Sequence, residues 1–242
     1  MVNVTPRYAK LKSADGKEVI GWENIELISD RPLSVMLDEF KRLKEEFPGR
    51  ILIASIMEEY NKDAWQELVG LCEAAGVDAF EINFSCPHGM PERKMGMAMG
   101  QDCELLSHAA SWVNEVATKP VWAKMTPNIT DITMPARTAL DAGCEGIAAI
   151  NTIQSVMGIN LDTLRPEPSV EGYTTPGGYS SKAVKPIALA KVRCTGVGVL
   201  LLAYRCREFS MCIIKRISRI SQSIRFCCLY APTHHKLLSS CR

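Results

Sequence analysis

The sequence predicts an α/β fold built on parallel strands, and two observations support it. Strand-like and helix-like blocks alternate four times through the middle of the chain, as a parallel sheet with right-handed crossovers requires. Asn83, Lys124 and Asn151 fall at the carboxyl ends of three successive predicted strands, the rim at which barrel enzymes carry their active sites. An open doubly wound sheet fits the alternation too, but no Gly-x-Gly-x-x-Gly motif follows a strand. These observations together favour a barrel.

Hydrophobic spacing defines each element in turn. Asp30-Arg31-Pro32 places a proline near the start of a first helix, whose apolar residues recur at helical spacing until Pro48-Gly49 ends it. Short apolar runs predict strands at 51–56, 79–83, 121–125 and 146–151. Further helices are predicted at 65–75 with Gly76 as the cap, at 103–116 after the capping residue Asp102, at 134–142, and from Lys185 onward. The segment between 151 and 185, rich in Gly, Pro and Ser, is predicted to be a long loop.

The charge of the chain is unevenly distributed. Residues 1–192 carry a net charge of −7 and residues 193–242 a net charge of +8, so the overall charge of +1 is the sum of two segments of opposite charge. The last fifty residues also hold six of the ten cysteines and lack the strand–helix alternation. We therefore expect a barrel region at 1–192 and an unrelated, disordered tail at 193–242.

The cysteines predict neither disulfides nor a metal site. No Cys-x-x-Cys spacing occurs, and the spacing of Cys227-Cys228, His234-His235 and Cys241 matches no zinc motif. The first residues lack the apolar core of a signal peptide, and the most apolar run, 197–204, is far shorter than the roughly 20 residues that span a bilayer. We expect a cytoplasmic protein in a reducing compartment, with neither membrane nor nucleic acid as a partner.

One segment, residues 83–101, carries most of the candidate chemistry. Within six positions it brings together a carboxamide, a hydroxyl, a thiol and an imidazole: Asn83, Ser85, Cys86 and His88. A strand that ends in Asn and continues into a polar, glycine-punctuated loop is typical of a barrel strand that delivers catalytic groups to a mobile loop. Cys72 and Cys144, unlike Cys86, lie outside this segment, and we expect them to be small buried apolar residues, as lone cysteines most often are.

Two strings of residues are specific enough to indicate a family. They are Ser-Cys-Pro-His-Gly-Met at 85–90 and Lys-Met-Thr-Pro-Asn-Ile-Thr-Asp at 124–131, and they are joined by matching blocks at 24–29, 83–84, 151–152 and 177–189. Through these blocks, the region from about residue 2 to residue 192 resembles the flavin-containing, pyrimidine-reducing domain of the dihydropyrimidine dehydrogenases. That domain is one of the dihydroorotate dehydrogenase-like barrels.

The resemblance implies a reaction, the NADPH-linked reduction of the 5,6 double bond of uracil or thymine. Reduced FMN would give a hydride to C6, and an acid would protonate C5. The resemblance assigns the acid to Cys86, with His88 as a second candidate donor and Ser85 in the same catalytic group. A thiol suits this role, because its unperturbed pKa of about 8.5 keeps it mostly protonated at neutral pH yet able to release the proton.

The resemblance also implies two sets of binding residues. The pyrimidine would contact Asn24, Glu26, Asn83, Asn151 and Thr152, and carboxamides suit its alternating C=O and N–H groups. FMN would contact Lys124, Asn128, Thr152 and Gly178. Lys124 is expected beside flavin N1, where a positive charge stabilises the anionic reduced flavin.

Further components are implied outside this chain. NADPH and [4Fe-4S] clusters would be bound by other domains or by a partner subunit, and the intact enzyme would be a homo-oligomer. The family's first strands and its phosphate-binding strands have no counterpart in the sequence. We therefore expect an incomplete (β/α)8 TIM barrel, truncated at both ends, with about strands 3–6 present. Two alternatives stay open: dihydroorotate dehydrogenase-type oxidation and a catalytically inactive fragment.

Overall fold

The computed structural model describes residues 8–25, 31–87, 91–169 and 174–195, together with three short strands nearer the carboxyl terminus. In chain order the strands are β1 (Tyr8–Lys12), β2 (Val19–Asn24), β3 (Ile51–Ile56), β4 (Ala79–Phe84), β5 (Val121–Met125), β6 (Gly146–Ala149), β7 (Ile153–Ser155), β8 (Gly158–Asn160), β9 (Arg165–Glu167), β10 (Gly177–Ser180), β11 (Leu200–Ala203), β12 (Cys212–Lys215) and β13 (Phe226–Cys227). The helices are α1 (Leu33–Glu46), α2 (Lys62–Ala74), α3 (Met97–Gly100), α4 (Cys103–Val116), α5 (Thr133–Asp141) and α6 (Lys185–Thr195), with 3-10 turns at Pro91–Arg93 and Lys182–Val184.

Four parallel strands form the centre of the molecule. β3, β4, β5 and β6 pair side by side in the order of the chain. Helices lie between them in sequence, so the predicted α/β class is confirmed and each central strand agrees with its prediction to within two residues. The helix ends agree as well: the Asp102 side chain accepts hydrogen bonds from the first backbone amides of α4, and Gly76 follows α2 with a φ of +89°.

Alternate residues of each central strand face opposite layers. Phe80, Ile82 and Phe84 of β4 are fully buried in the apolar core that also includes residues of α2 and α4. Each such side chain contributes about 1.5–3 kcal/mol of hydrophobic free energy. Glu81 and Asn83 alternate with them and therefore point to the other face, where Asn83 is the register partner of Lys124 on β5. The candidate polar residues thus share one face near the carboxyl ends of the strands.

A second sheet is antiparallel and joins distant parts of the chain. Its strand order is β1-β2-β10-β7, and Gly178 lies opposite Asn24 on one side and Gln154 on the other. The prediction of a long loop between residues 151 and 185 is therefore wrong, because this segment contains β7 to β10. These strands are only three or four residues long, so they carry no apolar alternation that a sequence could reveal.

Three short strands of the predicted tail pair with the central sheet. β12 runs antiparallel to β6 and also pairs with β11, and β13 runs parallel to β3. Apart from these strands and residues 193–195, the tail for which we predicted disorder lies outside the described residues. Within the described part of the chain, no helix has both the length and the apolar character needed to cross a membrane.

Candidate functional site

Asn83 organises the turn that follows β4. Its Oδ1 accepts three hydrogen bonds, from the backbone N–H groups of Ser85 and Cys86 at 3.1 and 3.0 Å and from the Ser85 hydroxyl at 2.8 Å. An Asn at the end of a strand commonly bonds to backbone groups that follow it, which explains why the chain turns here. Cys86 is therefore held in place by the residue three positions before it.

Ser85 connects this turn to the segment after β6. Its side chain is fully buried, and its Oγ accepts a hydrogen bond from Asn151 Nδ2 at 2.9 Å. Asn151 Oδ1 in turn accepts a hydrogen bond from the backbone N–H of Thr152 at 2.7 Å. Since the Ser85 hydroxyl both donates and accepts inside this network, its position supports a role in holding Asn83 and Asn151 rather than in contacting a ligand.

Asn128 connects the loop after β5 to the same segment. Its Nδ2 donates to the Thr152 carbonyl at 3.3 Å and to Thr126 Oγ1 at 3.2 Å, and its Oδ1 accepts from the Gln154 backbone N–H at 2.9 Å. Both ends of this carboxamide are engaged by the protein itself. Asn128 therefore fixes the position of Thr152.

Lys124 lies beside a carboxylate that the sequence analysis did not single out. Its Nζ is 3.4 Å from Glu81 Oε1, and the two side chains are only 12% and 11% exposed. Ser55 Oγ donates to the same oxygen at 3.1 Å. Glu81 precedes Asn83 by two residues on β4, so strand alternation could have identified it as a residue of the site face. Glu81 thus holds the Lys124 ammonium group next to Asn83, where it is largely shielded from solvent.

The antiparallel sheet brings two further candidates to this site. Asn24 ends β2 opposite Gly178 of β10, and Gly178 lies against Thr152. A Cβ atom on Gly178 would lie 2.3 Å from Thr152 Oγ1, so a larger residue could not approach so closely. The candidates Asn24, Asn83, Ser85, Cys86, Lys124, Asn128, Asn151, Thr152 and Gly178 are thus linked by hydrogen bonds or strand pairing.

Three polar groups of this assembly have no hydrogen-bond partner among the described residues. They are the side-chain amide of Asn24, Nδ2 of Asn83 and the hydroxyl of Thr152, while Ser85, Asn128 and Asn151 are engaged inside the network. All three groups are partly exposed. They can therefore accept or donate hydrogen bonds to a bound molecule.

The thiols fall into two groups. Cys86 is partly exposed, and its carbonyl accepts a hydrogen bond from the Met97 amide at 3.1 Å. Cys72 and Cys144 are buried as predicted, and burial raises the pKa of Cys72 to about 11 and that of Cys144 to about 12. Such thiols stay protonated and unreactive at neutral pH.

Some predicted site residues cannot be placed. Glu26 and His88 lie outside the described residues, as do the side chains of the tail histidines and of the tail cysteines other than Cys194. Among the side chains that are described, no three His, Cys, Asp or Glu residues form a group that could hold a metal ion.

Comparison with known proteins identifies the family. The model of the family described as dihydroorotate dehydrogenase matches residues 3–196. The chain belongs to the dihydroorotate dehydrogenase family. The fold is similar to that in the solved structure of DHODH from Eimeria tenella in complex with ferulenol, with a TM-score of 0.59 and 19% sequence identity. The match covers 80% of this chain and 55% of that one. This likeness confirms the predicted barrel-type fold.

Two curated relatives are more similar in sequence. The chain is 70% identical over 196 residues to the chloroplastic dihydropyrimidine dehydrogenase (NADP(+)) of Arabidopsis thaliana, covering 79% of this chain and 46% of the relative. It is 45% identical over 186 residues to the NAD-dependent dihydropyrimidine dehydrogenase subunit PreA of Escherichia coli (strain K12), covering 77% and 44%. The resemblance found in the sequence is thereby confirmed. The chain spans about half the length of the curated relatives it matches.

Proposed function

We propose that this chain forms the pyrimidine side of an active site that reduces uracil or thymine to the 5,6-dihydropyrimidine. The observation that carries the proposal is a set of polar groups, on Asn24, Asn83 and Thr152, that have no hydrogen-bond partner among the described residues. Hydrogen bonds through Ser85 and Asn151 connect Asn83, which holds the Cys86 backbone, to Thr152. A few fixed polar groups are what a pocket needs to orient a small polar ring. The two relatives named dihydropyrimidine dehydrogenases support the choice of ring.

Cys86 is the proton donor in this proposal. As C6 of the ring accepts a hydride, the electron pair of the C5=C6 bond moves to C5, which takes the proton from Cys86 Sγ and leaves a thiolate. Ser85 keeps the Cys86 backbone in position through Asn83 Oδ1. Asn151 supports this arrangement, because its side chain forms hydrogen bonds with the Ser85 hydroxyl and with the Thr152 backbone N–H. His88 as a second donor and Glu26 as a substrate contact stay predictions.

The described residues fit the polar edge of FMN, which supplies the hydride when bound. Lys124 offers a cation shielded from bulk water, and Thr152 offers an uncommitted hydroxyl. Asn128 and Gly178 support this side of the site by fixing Thr152. NADPH oxidation and electron transfer through [4Fe-4S] clusters fall to other domains or a partner subunit, in a homo-oligomeric enzyme. A cytoplasmic location stays a prediction, and the name of the Arabidopsis relative places that protein in the chloroplast.

The test compares the wild-type chain with Cys86→Ala and with a thiol control, Cys103→Ala. Cys103 is a partly exposed cysteine at the start of α4. Each protein is incubated with excess FMN, desalted and examined by visible absorption, then assayed for uracil reduction with a chemical reductant. All three should retain flavin, and Cys86→Ala alone should lose turnover by roughly 10²–10⁴-fold, the usual contribution of a general acid. Near-normal turnover in Cys86→Ala would remove Cys86 from this role.

The same preparation separates the two alternatives. Oxidation of dihydroorotate without reduction of uracil would assign the chain to dihydroorotate dehydrogenase-type chemistry, which the names of two Pyrococcus relatives also carry. Retained flavin with no conversion of either compound would favour an inactive fragment.

A further inference from the structure

One buried carboxyl group plays no part in the site as described so far. Glu23, on β2, is fully buried. Its Oε1 accepts a hydrogen bond from Ser155 Oγ at 2.8 Å, while its Oε2 has no hydrogen-bond partner among the described residues. Burying a polar oxygen without a partner costs free energy, so the position of this group requires an explanation.

Three strands converge on the Glu23 carboxyl. Ser155 comes from β7, and its hydroxyl also lies 3.5 Å from the Gly177 carbonyl on β10. A Cβ atom on Gly177 would lie 2.3 Å from Glu23 Cγ, so the glycine lets the carboxyl pass across β10 to reach β7. The group therefore bridges two strands that are not hydrogen-bonded neighbours in the sheet, whose order is β1-β2-β10-β7.

Each end of this bridge lies next to a candidate binding residue. Glu23 directly precedes Asn24, and Gly177 directly precedes Gly178, which faces Thr152. Ser155 follows Thr152 by three residues on the same short segment. A shift of β2 relative to β7 would change the distance between the side chains of Asn24 and Thr152.

We propose that Glu23 is a positioning residue for pyrimidine binding, because its carboxyl ties β2 to β7 and thereby fixes Asn24 relative to Thr152. The inference rests on the proposed function, since it takes a pyrimidine as the molecule that these two residues bind. Glu23 itself is fully buried, so in this proposal it holds the binding residues and does not contact the ring.

The surroundings disfavour the charged form of the Glu23 carboxyl. β1 presents Ala9 opposite Glu23, β10 presents Gly177 and Tyr179, and the charged Lys10 of β1 lies over Trp22 on the opposite face. Among these strands no cation faces the carboxyl, and Tyr179 is the other titratable group on its face. Burial raises the pKa of Glu23, and the Ser155 hydroxyl together with the nearby backbone N–H groups of Gly177 and Met157 opposes this shift only in part.

The test measures uracil binding by calorimetry on the full 242-residue chain loaded with FMN. Glu23→Ala removes the bridge, Glu23→Gln keeps its size and the Oε1 acceptor, and Glu18→Ala removes an exposed carboxylate from the same hairpin as a control. Glu23→Ala should raise the Kd for uracil about tenfold or more, as expected for a lost buried hydrogen bond. Glu23→Gln and Glu18→Ala should bind like the wild type. If Glu23→Ala fails to fold, Ser155→Ala removes the same hydrogen bond and should raise the Kd in the same way.

A second readout needs no ligand. Hydrogen exchange should become faster in Glu23→Ala at residues 152–155 and 177–180, and remain unchanged in Glu18→Ala. If exchange is faster in Glu23→Ala but the wild-type chain binds no uracil, the bridge is upheld and the proposed function is overturned. Wild-type uracil affinity in Glu23→Ala, or unchanged exchange in both segments, would overturn the bridge and leave the proposed function standing.

Discussion

The parallel and antiparallel sheets each bury a carboxyl group at the candidate site, but the two carboxyl groups have different partners. On β4, Glu81 lies 3.4 Å from Lys124 and accepts a second contact from Ser55. On β2, Glu23 has the Ser155 hydroxyl and nearby backbone N–H groups but no cation beside it on these strands, and burial raises its pKa. A buried ionised group is tolerated when it is paired, whereas an unpaired one is tolerated when it is neutral. The parallel sheet thus holds a charge pair, whereas the antiparallel sheet holds a buried carboxyl group that no cation on its own strands faces, so mutation and pH should affect them differently.

Breaking the charge pair should have the largest effect on stability. Lys124→Met keeps the length and apolar stem of the side chain but leaves Glu81 buried without its cation. We expect the free energy of unfolding to fall by about 3–5 kcal/mol, the usual cost of removing one partner of a buried pair. Urea denaturation measures this change, and Lys119→Met, at an exposed lysine just before β5, serves as the control.

The double variant Lys124→Met/Glu81→Leu sharpens the result. Replacing both members by apolar side chains removes the uncompensated charge, so most of the lost stability should return. A loss below about 1 kcal/mol in Lys124→Met would be typical of an exposed pair and would contradict the interpretation of Lys124 and Glu81 as a buried charge pair.

The difference between the two sheets also explains what the sequence could predict. Strand alternation and the register of adjacent parallel strands place Asn83 beside Lys124, and the order of the chain gives this pairing directly. Glu81 follows from the same alternation, although it was not singled out. The Glu23–Ser155 contact joins residues 132 positions apart through strands of three to six residues. Neither local periodicity nor spacing reports such a pairing, so β7 and β10 were predicted to be loop.

A third, exposed carboxylate gives the baseline for this comparison. Asp102 caps α4 and accepts hydrogen bonds from the amides of Glu104 and Leu105 at 3.0 and 3.2 Å. Asp102→Ala should lower the free energy of unfolding by about 1 kcal/mol, since a lost cap leaves two amides to water. Asp102→Asn should restore most of it, because its carbonyl can accept the same bonds. Equal losses in Asp102→Ala and Asp102→Asn would show that charge, rather than capping, is what matters there.

The smallest change concerns the proton on Glu23. A carboxyl whose pKa is raised above its ordinary value of 4.5 keeps its proton in the folded chain while the unfolded chain releases it, so wild-type stability should fall as pH rises through this window. Glu23→Gln carries no titrating group at this position and should lack this component. The two proteins should therefore respond alike below the ordinary Glu pKa, and the variant should gain stability relative to wild type as pH increases. Thermal unfolding of both proteins from pH 4 to pH 9 measures the difference. A constant difference across this range would mean that Glu23 titrates alike in the folded and unfolded chains, and the contrast between the two sheets would then rest on Lys124 alone.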